Sequence, residues 1–128
     1  MQFRKQQAIY LQIGEHLCDS IVNGTWVAGE KIPSVREMAV RVEVNPNTVM
    51  RTYTDLEQKG ILYNRRGIGF FVGDDAVDKI LDIKREEFIQ NDVPSLFKTM
   101  DLLGLKLKDL KRLHLRYHSE EAGDEGKQ

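Results

Sequence analysis

The sequence predicts a mainly α-helical chain with one small β-hairpin, followed by a second part built only of helices. Three observations carry that expectation. Between residues 8 and 60, apolar residues recur at helical spacing in three stretches bounded by capping residues or glycine. From Ile61 to Val72, two β-rich segments flank Asn64-Arg65-Arg66-Gly67-Ile68-Gly69, which has the glycines of a hairpin tip. From Asp74 to about Glu121, helical spacing returns.

The first helix is expected over Ala8 to Asn23. Ile9, Ile13, Leu17 and Ile21 recur every four residues, Tyr10 and Cys18 widen the stripe, and Gly24 ends it. Thr25 to Pro33 reads as a loop or short strand that turns at Gly29, with Trp26 and Ile32 covering the side of the first helix. The second helix starts at a capping box, Ser34-Val35-Arg36-Glu37, in which hydroxyl and carboxylate each satisfy a free N–H near the other. Val35, Met38, Ala39 and Val42 form its apolar stripe. Arg36 points the other way, where it is either a solvated side chain or a cation aimed at phosphate.

Glu43-Val44 is a short turn, and the third helix opens abruptly after it. Asn45 suits an N-cap, Pro46 suits the first helical position, and the run continues to Lys59 before Gly60. Val49, Tyr53 and Leu56 share one face, leaving Asn47, Arg51, Thr54 or Asp55, and Gln58 on the other. An amide and a guanidinium one turn apart are side-chain types that read adenine and guanine edges or hold phosphates. Two helices joined by so short a turn make a helix-turn-helix, and a basic hairpin beside it reads as a wing along the DNA backbone or minor groove.

The chain therefore divides, on this reading, into a winged helix-turn-helix over residues 1–73 and a helical region over residues 74–128 whose tail frays from about residue 119. In the second region Asp74, Asp75 and Asp78 suit a first turn, and Asn91-Asp92-Val93-Pro94 marks a break or kink. Leu96, Phe97, Met100, Leu102 and Leu103 precede Gly104, and Leu107, Leu110 and Tyr117 follow it. A piece this short cannot bury so many large apolar side chains alone, so they pack on the first region, on a second copy of the chain, or on both, and two-fold self-association is the expected arrangement.

Composition sets outer bounds. The 128 residues, 41% hydrophobic and 30% charged, fit one domain or a small domain with an appendage. The apolar runs are too short for a transmembrane helix, and Met1 to Gln7 lacks the apolar core of a signal peptide. The single cysteine, Cys18, excludes an internal disulfide and suits a buried position in a reducing, cytoplasmic setting. The net charge of −1 argues against a broadly cationic nucleic-acid binder. Residues 1–73 carry +2 and residues 74–128 carry −3, so a DNA-binding face has to be local.

These residues together resemble a bacterial transcription regulator of the GntR family, in its short YtrA-type branch. The pattern runs through Ile9-Tyr10-Leu11-Gln12-Ile13, Ile32-Pro33-Ser34-Val35-Arg36-Glu37-Met38-Ala39, Val44 to Tyr53 with Leu56-Glu57 and Gly60, and Gly67-Ile68-Gly69-Phe70-Phe71-Val72, over half the chain. The resemblance implies a homodimer that binds a (pseudo)palindromic operator, usually as a repressor, with residues 74–128 as the dimerisation region. It implies DNA contacts from Ser34, Arg36, Asn45, Asn47, Thr48 and Arg51, and from Arg65, Arg66 and Gly67 on the wing. It also leaves room for a small-molecule effector between subunits or between the two regions. Lys106 stands where similar chains often carry a Ser or Thr cap, which leaves the start of the last helix open.

Two other readings compete. An enzyme is disfavoured: His16, His114 and His118 have no partner at catalytic or metal-ligand spacing, and there is no phosphate loop or nucleophile motif. No cofactor or metal is expected. A winged helix that binds protein without DNA should show exposed aromatic and aliphatic residues, whereas Asn47, Arg51, Arg65 and Arg66 are polar or cationic.

Overall fold

A computed structural model describes residue 3 and residues 6–125. Most of the N-terminal stretch read for a signal sequence, and the last three residues of the tail, lie outside the described residues. The chain divides into two compact units, Met1–Lys84 and Arg85–Gln128. The division falls within a helix, later than the boundary after residue 73 expected from the end of the wing.

The first unit is organised around three helices. These are α1 (Ile9–Val22), α2 (Val35–Val42) and α3 (Pro46–Gln58). In α1 the four-residue repeat holds for Ile13, Leu17 and Ile21, each 1% exposed, whereas Ile9 at the helix start is exposed. Ser34 caps α2 with both halves of the capping box formed. Glu43 then takes a left-handed φ of 57° and gives its N–H to the Ala39 carbonyl, which stops α2 and turns the chain. Asn45 caps α3 through its side-chain oxygen, which accepts from the Asn47 N–H at 2.8 Å, and Pro46 takes the first helical position.

Two buried hydroxyls lock α3 into the unit. Thr52 Oγ1 donates to the Tyr10 carbonyl on α1 at 2.7 Å, and Tyr53 Oη donates to the Pro33 carbonyl at 2.7 Å. The core between the helices is Leu17, Ile21, Met38, Val49, Tyr53 and Leu56, with Ile32, Ile61 and Val72 added from the segments around the hairpin. Each such side chain contributes about 1.5–3 kcal/mol by leaving water.

The hairpin is β1 (Leu62–Arg65) and β2 (Gly69–Val72), antiparallel with Leu62 opposite Val72 and Arg65 opposite Gly69. Residues 29–32 run along the far edge of β2, through Gly29 N–H to Val72 O, Val72 N–H to Glu30 O and Ile32 N–H to Phe70 O. The segment read as a loop or short strand is thus a strand-like edge that ties the wing to the entrance of α2.

The helix α4 (Ala76–Glu87) buries Ala76 and Ile80, each 1% exposed, in the first unit, and leaves Val77 exposed. Lys84 near its end pairs with Asp19 of α1 at 3.1 Å. In the second unit the chain makes a π-helical turn over Phe88–Asp92, then α5 (Val93–Leu103) and α6 (Leu107–Glu125). The break expected at Asn91–Pro94 takes this form because Pro94 has no N–H and crowds the carbonyl four residues back, which a wider turn relieves. Gly104 closes α5 at φ 70°. At the start of α6, Asp109 supplies the capping acceptor: its carboxylate takes the Lys106 N–H at 2.9 Å. The helix runs to Glu125, past residue 119 where fraying is expected from the sequence. No described helix is long and apolar enough to cross a membrane.

Candidate nucleic-acid interface

The outward face of α3 follows from its inward one. With Val49, Thr52, Tyr53 and Leu56 buried, the helical period turns Asn47, Arg51, Thr54 and Gln58 to solvent. Asn47 and Arg51 lie one turn apart, Asn47 in the first turn of α3, where the free N–H groups concentrate positive potential, and Arg51 in the next. Together with Tyr10 of α1 and Met50, they line an open groove of about 500 Å³. Asp55, half-buried on the same side, is neutralised by Lys59 at 2.9 Å. Thr48 is half-buried at the edge of this face.

Arg51 is not a loose surface side chain. Its guanidinium carbon sits 3.9 Å from the centre of the Tyr10 ring. A cation over an aromatic face is attracted by the ring quadrupole while the N–H edge stays open. Sequence reading places Tyr10 only on the flank of the first helix. Its contact with Arg51 lies 41 residues away in the chain, so no local spacing could reveal it.

Ser34 and Asn45 spend their side-chain oxygens on caps. The Ser34 hydroxyl accepts from the Glu37 N–H at 3.1 Å, and the Glu37 carboxylate accepts from the Ser34 N–H at 3.1 Å. That hydrogen bond to the Ser34 backbone, with a further one to its side chain, holds the Glu37 carboxyl below its ordinary value. Arg36 in the same first turn is exposed, as expected.

The wing tip is Arg66-Gly67-Ile68, closed by the Ile68 N–H on the Arg65 carbonyl at 2.9 Å. Gly67 has φ 78°, a conformation that L side chains rarely adopt. The Arg65 guanidinium packs over Phe71 at 5.2 Å and Tyr63 at 6.0 Å, and those two rings stack at 5.5 Å. Arg66 is exposed at the tip. One cation escapes the sequence reading: the Lys31 side chain lies so close to Gly69 that a Cβ there would meet Lys31 Cε at 2.9 Å. Gly69 is the register partner of Arg65, so the bare glycine admits Lys31 alongside the wing arginines.

In the second unit, His114 and His118 face each other one turn apart, with their Nε2 atoms at 3.2 Å. Among the described residues no group of three or more His, Cys, Asp and Glu could hold a metal ion.

Comparison with known proteins adds context to this geometry. The model for bacterial regulatory proteins of the gntR family matches residues 9–72. The HTH-type transcriptional regulator YhcF of Bacillus subtilis is 38% identical over 109 residues, covering 85% of this chain and 88% of that one. The HTH-type transcriptional repressor YtrA of the same organism is 32% identical over 107 residues, covering 84% and 82%. Among solved structures, a GntR family transcriptional regulator from Listeria monocytogenes superposes with a TM-score of 0.74 at 31% identity, covering 89% of this chain and 98% of that one. The DNA-binding domain of AraR in complex with an operator superposes with a TM-score of 0.51 at 27% identity, covering 56% and 93%.

Proposed function

This chain belongs to the gntR family of bacterial regulatory proteins, as a DNA-binding transcription regulator of the YtrA-like kind rather than an enzyme, and from that premise we propose that it acts as a homodimeric repressor on a (pseudo)palindromic operator. The observation that carries the reading is the concentration of Asn47, Arg51, Arg36, Arg65 and Arg66 on exposed positions of a helix-turn-helix and its wing, in a chain whose net charge is −1. Exposed cations gathered on these elements, where the total is slightly anionic, suit them to phosphate.

In the proposed complex, the two α3 helices of a dimer enter successive major grooves about 34–36 Å apart. Asn47 and Arg51 read base edges, since a primary amide and a guanidinium each offer paired hydrogen bonds matched to adenine and guanine. Arg36, Thr48, Arg65, Arg66 and the Gly67 backbone fix register on phosphates. Ser34 and Asn45 act first as helix caps, and reach DNA through what the caps leave free. Self-association is supported by the second unit, where Phe97, Leu102, Leu103, Leu107, Leu115 and Tyr117 are all more than half exposed. Repression is supported by the name of the relative YtrA.

Fluorescence anisotropy on DNA from upstream of the chain's own gene, against a scrambled duplex at two salt concentrations, tests the reading. Preferential, salt-sensitive binding with two chains per site is the expected result. Failure to bind either duplex at low salt would overturn it. Sedimentation of Leu103→Glu beside the wild type tests the dimer separately: the charge should give monomers, and an unchanged dimer would place the interface elsewhere.

A further inference from the structure

We propose that Tyr10 is a positioning residue for base selection: its ring seats the Arg51 guanidinium and fixes the direction in which the N–H fork meets DNA. This rests on the reading above, in which Arg51 contacts a base.

The ring and the cation belong to different helices, and their meeting is built rather than incidental. Arg51 lies 3.9 Å over the Tyr10 ring centre. Its chain neighbour Thr52, 1% exposed, donates its hydroxyl to the Tyr10 carbonyl at 2.7 Å. The residue after Arg51 therefore anchors the backbone that carries the ring beneath Arg51. One turn further along α1, Gly14 faces the same residue of α3: a Cβ there would stand in ordinary contact with Thr52 Cγ2, at 3.6 Å. A shift of Tyr10 along α3 would break the part-buried hydrogen bond from Thr52.

The chemistry divides the guanidinium between two tasks. Its face is satisfied by the aromatic ring, and its edge remains for two parallel hydrogen bonds to a base. An unsupported arginine samples many rotamers, and so can turn its N–H fork toward more than one base edge. A seated one has fewer directions to offer, so a base pair that presents the wrong edge cannot be met by a small swing of the side chain. Asn47 lines the same groove one turn earlier, which sets the two readers in a fixed relation.

The test compares the full-length wild type with Tyr10→Phe, Tyr10→Leu, Arg51→Ala and the Tyr10→Leu/Arg51→Ala pair. Each selects from a randomised duplex pool and is then titrated on matched and single-substituted sites. Arg51→Ala should erase the preference at one position per half-site. Tyr10→Leu should reduce discrimination at that same position by about two- to fivefold, the span of an exposed cation–π contact. It should leave affinity for random duplex unchanged and add nothing to Arg51→Ala. Tyr10→Phe keeps the ring and should match the wild type. Equal weakening on every duplex, or full retention of discrimination by Tyr10→Leu, would overturn the proposal. An Arg51→Ala protein with all preferences intact would instead remove the base-reading role of Arg51, and with it the premise. Should Tyr10→Leu fail to fold, proton NMR of the wild type decides: the Arg51 side-chain protons should be shifted upfield by the ring in wild type and in Tyr10→Phe, and unshifted protons would overturn the seat.

Discussion

The hydroxyl of Tyr53, a residue with no exposed surface, donates to the backbone carbonyl of Pro33 at 2.7 Å. Pro33 immediately precedes Ser34, the cap of α2. One hydrogen bond thus joins the inner face of the helix that carries Arg51 to the start of the helix that carries Arg36. The ring also meets Phe70 of β2 edge-on at 5.0 Å, so helix, turn and wing converge on one side chain.

Tyr53→Phe keeps the ring and strands the Pro33 carbonyl. Leaving a buried acceptor unpaired costs about 1–3 kcal/mol. Urea unfolding should show that loss at an unchanged m-value, while DNA affinity of the still-folded protein stays near wild type. A loss below about 0.5 kcal/mol would mean that water reaches the carbonyl.

Ser34 has a capping duty and a proposed place at the DNA, and two substitutions separate them. Ser34→Ala removes the cap and should cost about 1 kcal/mol of stability. Ser34→Asp can still cap but sets a carboxylate beside the phosphates, so it should fold as well as the wild type and bind DNA more weakly, most of all at low salt. Normal binding by Ser34→Asp would remove Ser34 from the interface. The pH dependence is fixed in sign. Glu37 has its folded pKa depressed below the ordinary 4.5, so its half of the box is present above that value and weakens as pH falls through the folded one.

What can be read from the sequence is what is local. Ser34 to Glu37, Asn45-Pro46 and Arg65 to Gly69 each fix backbone within a few residues, and each is legible as a cap or a turn. Val49, Tyr53 and Leu56 announce their buried face through spacing alone, and Asn47 and Arg51 follow by subtraction. What escapes depends on meetings across the chain. Nothing near Tyr10 signals Arg51, and nothing near Lys31 signals Gly69. The π-helical turn before Pro94 is visible only as a disturbance, because a proline specifies that a carbonyl must move and not where it goes. At α6 the usual place of a cap holds Lys106, and the acceptor comes instead from Asp109, inside the helix.

Cys18 offers a check on the packing of α1. The side chain is buried, and burial pushes its thiol up from the ordinary 9.0 to about 11. A thiol-reactive probe at pH 8 should therefore leave the native chain unmodified and label one cysteine per chain after unfolding. The linkage has a definite sign: the raised pKa means that the buried thiol's contribution is complete below about pH 9 and declines as pH rises toward 11. Rapid native labelling would show that α1 opens locally.

Arg51 and the wing cations should fail in different ways when removed. A bidentate contact to a base is worth about 1–3 kcal/mol of discrimination, so Arg51→Ala should relax selectivity at one position of each half-site. Arg65 ends β1 and Arg66 stands at the exposed hairpin tip, and the contacts proposed for them, to phosphate, would carry no base information. Arg66→Ala should weaken binding on every duplex alike and reduce the slope of log affinity against log salt by about one for each phosphate no longer neutralised. Arg65→Ala should do the same and also uncover the stacked Tyr63–Phe71 pair on which it lies. Lys31 belongs with this second group through its closeness to Gly69, so Lys31→Ala should lower the salt slope without altering sequence preference. Titrations of the variants on cognate and scrambled duplexes across a salt series resolve the two patterns. If Lys31→Ala leaves the slope unchanged, the lysine packs beside the wing without touching DNA.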